Sequence, residues 1–262
     1  MDPICDDLEA EHEALDVLVR DLPDQAWDRL TPAEGWMVRD QISHLWFFDG
    51  TARLAVVDVD AFQASAKALL ASVDEGDDPS ITPGREVAPA QLLASWREGR
   101  AALLTALRAT DPKARIPWYG PTMGARSFAT ARLMETWAHG QDVADALDAT
   151  REPTARLRHV AHIGVLARPF AYATRGMQVP EREVRVELAA PDGSTWTWGP
   201  EDAADVVRGD ALDFCLVVTQ RRHPADTALV VEGPAAEEWM GIAQAFAGPP
   251  GPGRQPGQFA AR

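Results

Sequence analysis

Glu135, His139 and Asp142 follow one another at spacings of four and three in METWAHGQDVADAL, residues 134–147. In a helix those spacings put the three side chains on one face. A carboxylate and an imidazole one turn apart are donors that a divalent cation of nitrogen and oxygen preference accepts. The same pair is also an ordinary solvated face. Acidic residues make up 40 of the 262, so Glu-x3-His arises readily by chance. A helical wheel leaves both readings open. Phe128, Ala131, Ala138 and Ala146 share the Glu135/His139 face, while Leu133, Trp137 and Ala144 cover the opposite one. A helix apolar on both sides suits the interior of a bundle.

A second candidate is His44 in VRDQISHLWFFD, a lone histidine among apolar neighbours. Such a residue is most simply a core histidine. Asp40 lies four residues earlier, within reach of the ring, and a carboxylate on the far nitrogen would fix the tautomer of a metal ligand. The alternative for Asp40 is an exposed carboxylate at a helix start, favoured by the macrodipole. Competing histidines are weaker. His159 and His162 in RHVAHIG have no acidic residue close in sequence, His12 in EAEHEALD reads as a surface residue, and His223 stands at a helix end before Pro224. No local motif supports a Cys–His or Ser–His–Asp arrangement.

These residues need elements to position them. Apolar spacing predicts helices from Ile4 to about Arg20, from Val38 to Val56, from Gln91 to Ala109 and from about Ser127 to Ala149. Pro23, Pro32 and Gly35 break the chain after the first, ASVDEGDDPSITPGREVAP reads as an acidic loop, and TDPKARIPWYGPTMGAR precedes the fourth. Four long helices with a loop after each predict an antiparallel bundle over residues 1–150. A connecting helix follows within 151–179. Over residues 180–247 the pattern changes to α+β: REVRVEL and STWTWG alternate as a hairpin, a helix opens near Asp210, TALVVEG is a strand and PAAEEWMGIAQAF a helix. The Pro/Gly-rich tail, residues 248–262, is expected to be disordered.

Composition narrows the function classes. The net charge is −15, from 40 acidic against 25 basic residues, and no Lys/Arg cluster supplies a nucleic-acid-binding patch. No apolar run approaches the roughly 20 residues of a membrane helix. The acidic N-terminus lacks the basic and apolar regions of a secretory signal. Cys5 and Cys215 are far apart and expected to be reduced. The expectation is therefore a cytoplasmic protein, monomeric or homodimeric, that acts on small molecules.

Two segments taken together are more specific than any one residue. TPAEGWMVRDQISHLWFFD, followed some distance on by SFATARLMETWAHGQDVADAL, resembles the DinB-like metal-binding bundle, and within it the mycothiol-dependent maleylpyruvate isomerase branch. That branch uses Gly-Trp-x-Val-x-Asp-x3-His and Glu-x3-His-x2-Asp, here Gly35, Trp36, Val38, Asp40, His44 and then Glu135, His139, Asp142. GDALDFCLVVTQRRHPADTALVVEGPAAEEWM resembles the branch's sterol-carrier-like α+β domain.

The resemblance implies a divalent metal, zinc foremost, held by His44, Glu135 and His139 with a fourth position open to mycothiol. Asp40, Asp142 and Trp36 would surround the ligands. It also implies an arginine from the C-terminal domain. Arg221 is the aligned position, with Arg222 beside it, and a guanidinium fork suits a substrate carboxylate. Capping of a helix end is the other reading of either arginine. Trp118 and Tyr119 in IPWYGPTMG offer large surfaces, either to cover the pocket or simply to pack. That loop and TQRRH mark a separate subgroup. The expected activity is thiol transfer to, or thiol-assisted isomerisation of, a small electrophile. A non-catalytic metal-containing protein that binds a small molecule or lipid is the alternative.

Overall fold

A computed structural model describes residues 1–72, 78–120 and 122–259. Their contacts divide the chain into two compact units, Met1–Arg151 and Glu152–Arg262.

The first unit is helical. Helices α1 (Asp2–Val19), α2 (Val38–Val57), α3 (Val59–Ser72), α4 (Thr82–Glu86), α5 (Pro89–Ala109) and α6 (Ala125–Ala146) occur in chain order. A short antiparallel ribbon of β1 (Arg115–Ile116) and β2 (Met123–Gly124) precedes α6. The long helices α1, α2, α5 and α6 form the bundle, with α2 packed on α5 and α6, and α1 on α6 and α5. Val38, Ile42 and Leu45 put one face of α2 into a core with Leu15, Val19, Leu92, Trp96 and Val143. Burying each such aliphatic side chain contributes about 1.5–3 kcal/mol.

Two helices lie where a loop or no element was expected. In α3 the Asp58 carboxylate accepts the Ala61 N–H at its start, and the run AFQASAKALLAS is rich in strong helix formers. Its periodicity was weak because Phe62 is its only deeply buried side chain among the described residues. Helix α4 occupies TPGRE inside the expected acidic loop, of which residues 73–77 lie outside the described residues. Gly84 explains how close α4 comes to α2: a Cβ there would stand 2.4 Å from the Ser43 Cβ.

His12 is not on the surface. It is 1% exposed, four residues after Leu8 and three before Leu15, within the buried stripe of α1. Its ring lies edge-on to Trp96, with Nε2 3.8 Å from the Asp49 carboxylate. Burial lowers its pKa from 6.5 to about 4; Asp49 opposes the shift, while Arg100 and Arg132 reinforce it. The folded chain therefore keeps His12 neutral where the unfolded chain takes up a proton. Stability is lost as pH falls from about 6.5 towards about 4, by up to about 3 kcal/mol for this group. In His12→Gln the difference in urea-unfolding free energy between neutral and acid pH should shrink by an amount of that order.

The second unit holds α7 (Leu157–Leu166), α8 (Arg168–Ala173), β3 (Val184–Ala189), β4 (Thr195–Trp198), β5 (Asp205–Asp210), α9 (Ala211–Val218), β6 (Val230–Glu232) and α10 (Pro234–Ile242). The sheet order is β4-β3-β5-β6, with β3 and β5 parallel and the other pairs antiparallel. Val186 pairs with Trp198 and Leu188 with Trp196, as the alternation in REVRVEL and STWTWG requires. Strand β5 was not expected. It runs directly into α9, so its apolar pair Val206–Val207 was hidden beside a helix signal.

The tail expected to be disordered lies on this unit through residue 259. Gly257 and Phe259 N–H groups donate to Asp226 at 2.7 and 3.4 Å, and Gln244 Nε2 donates to the Phe246 and Gly248 carbonyls. Proline and glycine deny this stretch a ladder of its own, but side chains of the folded unit satisfy its backbone. Residues 260–262 lie outside the described residues. Among the described residues no helix is long and apolar enough to cross a membrane. The architecture is an N-terminal helical domain followed by a small α+β domain.

Candidate metal centre

Helix α2 supplies His44, and two successive turns of α6 supply Glu135 and His139. One ligand atom from each lies within 4.8 Å of the others. His139 Nε2 is 3.5 Å from Glu135 Oε2, and the two imidazole centroids are 4.5 Å apart. His139 is buried, whereas His44 and Glu135 are half-buried, so the group faces outward on one side. Among the described residues no other group of three His, Cys, Asp or Glu side chains is arranged this way, and His159 and His162 form none.

The hydrogen bonds around the two rings decide which nitrogen each presents. His139 Nδ1 is 2.6 Å from Gln41 Oε1, while Gln41 Nε2 donates to Thr31 Oγ1 and that hydroxyl donates to the Trp36 carbonyl. An amide oxygen only accepts, so His139 carries a proton on Nδ1, and its Nε2 is the nitrogen beside Glu135. His44 Nδ1 is 2.9 Å from Ser80 Oγ, whose own proton goes to Asp78 Oδ1 at 2.6 Å. Ser80 must therefore accept from His44, which places a ring proton on Nδ1. In both rings Nδ1 is engaged by a polar partner, the arrangement that orients an imidazole to offer Nε2 to a metal.

Neither Gln41 nor Ser80 was picked out from sequence. Gln41 is a fully buried amide three residues before His44, and Ser80 sits in a D-x-S turn of the acidic segment. Ser80→Ala removes the acceptor from His44, and cation affinity measured by chelator competition should fall about 10–100-fold.

Asp40 does not hold His44. It is buried at the start of α2, where Oδ2 accepts the Met37 N–H at 2.8 Å. Arg85 from α4 clamps both of its oxygens, Nε to Oδ1 at 2.8 Å and Nη2 to Oδ2 at 2.7 Å. The carboxylate thus fixes the helix that carries His44 rather than the ring itself. Asp142 is buried on α6, one turn past His139. Trp36 follows Gly35, whose φ of +75° makes the turn. Its ring lies 5.2 Å from that of His44 and stacks 6.0 Å from that of His139.

Phe48, 4.5 Å from the His44 ring, continues this wall to Trp118 and Tyr119. Those two pack on Phe62, and burial raises the Tyr119 pKa. In the second unit Arg221 Nη1 donates to the Thr219 carbonyl at the end of α9, the contact of a helix cap. Arg222 is buried with its guanidinium 3.6 Å from the Phe259 ring.

The donor set fits a cation. Ligands at about 2.0–2.1 Å from tetrahedral zinc stand roughly 3.4 Å apart. The His139–Glu135 separation already matches that, and the spread of 4.8 Å closes by side-chain shifts of the order of an ångström.

Residues 8–144 match the family model described as the mycothiol maleylpyruvate isomerase N-terminal domain, slightly more than half of the chain. The chain belongs to this family. All three candidate ligands fall inside the matched span. The curated relatives include two uncharacterized proteins from strains of Mycobacterium tuberculosis, each 46% identical over 252 residues, covering 96% of this chain and 98% of theirs. Among solved structures, that of the mycothiol-dependent maleylpyruvate isomerase has a TM-score of 0.55 at 17% identity, covering 84% of this chain and 89% of that one. A histidine-to-alanine mutant of it scores 0.54 over the same extent. At that identity the likeness establishes the fold. Residues 180–232 match a different family model, described as wyosine base formation.

Proposed function

We propose that this family member is a metal-dependent enzyme that activates a low-molecular-weight thiol, mycothiol, for use on a small electrophile. Thiol-assisted cis–trans isomerisation is the favoured reaction, and S-transfer is the variant in which the adduct is released. The observation that carries the reading is the pair of imidazoles, each with Nδ1 tied back and each grouped with the Glu135 carboxylate.

In this reading His44, Glu135 and His139 would hold the cation, zinc by donor type. A cation so held lowers the pKa of the thiol sulfur and makes it nucleophilic at neutral pH. Gln41 and Ser80 keep the two rings oriented, Asp40 with Arg85 keeps the start of α2 in register, and Asp142 is an outer carboxylate of α6. Trp36 and Phe48 give the approach an apolar wall that excludes water. Arg221 is assigned to the carboxylate of an anionic substrate. In isomerisation the sulfur adds to the conjugated double bond, the resulting single bond rotates, and the thiol leaves, so no group is gained or lost.

Purified protein should contain zinc and catalyse mycothiol-dependent isomerisation of maleylpyruvate or a related cis-enoyl acid, or conjugation of mycothiol to electrophiles. Chelation should abolish the activity and zinc restore it. Stoichiometric zinc with no thiol-dependent turnover of either kind would leave a non-catalytic binding protein.

A further inference from the structure

The candidate ligands stand at one end of a continuous run of aromatic rings. The His44 ring is 5.2 Å from Trp36 and 4.5 Å from Phe48, and Phe48 leads on to Tyr119 at 5.8 Å and Trp118 at 6.3 Å. Trp36, Phe48, Trp118 and Tyr119 are all only half-buried. Large rings that serve the bundle core look different: Trp27, Trp96 and Phe128 are 2%, 0% and 1% exposed. A contiguous set of half-open rings beside a group of metal donors is an interaction surface rather than core. We propose that this wall receives a flat apolar substituent of the electrophile, so that the substrate is an aryl-substituted enone. The inference rests on the thiol-activating reading of the centre and names its substrate class.

The wall is pinned from behind. Trp118 stacks on Phe62 at 5.7 Å, with 8° between the planes, and stands edge-on to Phe128 at 5.2 Å. Both supporting rings are deeply buried, at 2% and 1% exposure. The indole is therefore in place before a ligand arrives, which lowers the entropic cost of binding. Aromatic rings accept another ring edge-on or offset, and small-molecule sites are mostly apolar surfaces with few polar groups. Arg85 and Arg132, which approach α2 from α4 and α6, are clamped on the Asp40 and Asp49 carboxylates. Neither lends its fork to a substrate, so recognition along this wall is apolar.

An aryl enone suits both ends of the run. Its ring is conjugated with the reacting double bond, and His44 and Phe48 are close enough for one flat molecule to meet both. The thiol sulfur bonds to the carbon that bears the aryl group, and the π pair moves onto the carbonyl oxygen. The carbon next to the carbonyl then takes up the proton that the thiol gave up, so the adduct is the sum of thiol and enone.

Two matched pairs of neutral ketones test this, neutral so that Arg221 does not enter. Benzylacetone and methyl propyl ketone differ as phenyl from methyl and cannot accept a thiol; benzylideneacetone and ethylideneacetone are the corresponding enones. In isothermal titration of the zinc-loaded full chain, benzylacetone should bind about tenfold more tightly than methyl propyl ketone. Mycothiol addition, scaled to the uncatalysed rate, should favour benzylideneacetone in kcat/KM by a similar factor. Trp118→Leu and Phe48→Leu should each cut the phenyl preference in binding about threefold or more, with zinc per chain unchanged. Leu166→Ala, an exposed apolar position of the second unit, should leave that preference as it is. Equal binding of the two saturated ketones, a phenyl preference that both wall variants keep, or turnover that favours ethylideneacetone overturns the proposal. The expected binding pattern without thiol addition to either enone instead sinks the thiol reading and leaves the wall as an aryl-binding surface. Should one wall variant fail to fold, the other decides.

Discussion

His139→Ala should leave a folded bundle that no longer retains a cation and no longer turns over with thiol. The side chain is one of three candidate donors, and its Nε2 already lies 3.5 Å from Glu135 Oε2. Its removal takes away a ligand and leaves the Gln41 amide without its imidazole partner. The structural cost is one lost buried hydrogen bond and a small cavity, about 1–3 kcal/mol. The functional cost is the whole contribution of the cation, several kcal/mol of transition-state stabilisation, or a fall in turnover on the order of a thousandfold. Zinc per chain by elemental analysis, thermal melting and thiol-dependent turnover separate the two costs. Near-normal melting with zinc and activity both gone is the expected result. Retained activity, or a collapse of the fold with metal still bound to what remains, would assign His139 a packing role.

Asp49→Ala should be the most damaging single change to stability. Arg132 from α6 donates to Asp49 of α2 at 2.8 and 3.2 Å, and the two side chains are 4% and 0% exposed. Removing the carboxylate strands a guanidinium inside the bundle, which costs about 3–5 kcal/mol. The urea midpoint should fall accordingly. Replacing both partners, Asp49→Leu with Arg132→Met, should recover most of the loss, because two desolvated charges are removed together. If the single and double variants are equally unstable, the pair is not what holds α2 to α6.

The long bundle helices were legible because a buried stripe at 3.6-residue spacing leaves a direct trace in sequence, as Val38, Ile42 and Leu45 do in α2. Helices α3 and α4 left little trace: one is mostly solvated around Phe62, and the other is a single turn held by Arg85 and by the close approach of Gly84. The candidate ligands His44, Glu135 and His139 were legible in type and spacing, but the groups that orient them were not. Asp40 sits at the spacing expected of a partner for His44, yet its N-terminal position and Arg85 claim it first. Ser80 and Gln41 are ordinary polar residues whose roles come from long-range contacts that local spacing does not encode. His12 was legible in principle, since its place in the α1 stripe outweighs the carboxylates beside it in sequence.

The proposed chemistry requires two tied-back imidazoles and one carboxylate to share a single cation and leave room for sulfur; the zinc-edge X-ray absorption spectrum of the loaded protein, recorded before and after mycothiol, addresses that most directly. Shared ligation requires nitrogen and oxygen scatterers at about 2.0–2.1 Å, with a sulfur at about 2.3 Å appearing once the thiol is present. A spectrum unchanged by mycothiol would contradict it, as would one that survives intact in the His44→Ala, Glu135→Gln double variant.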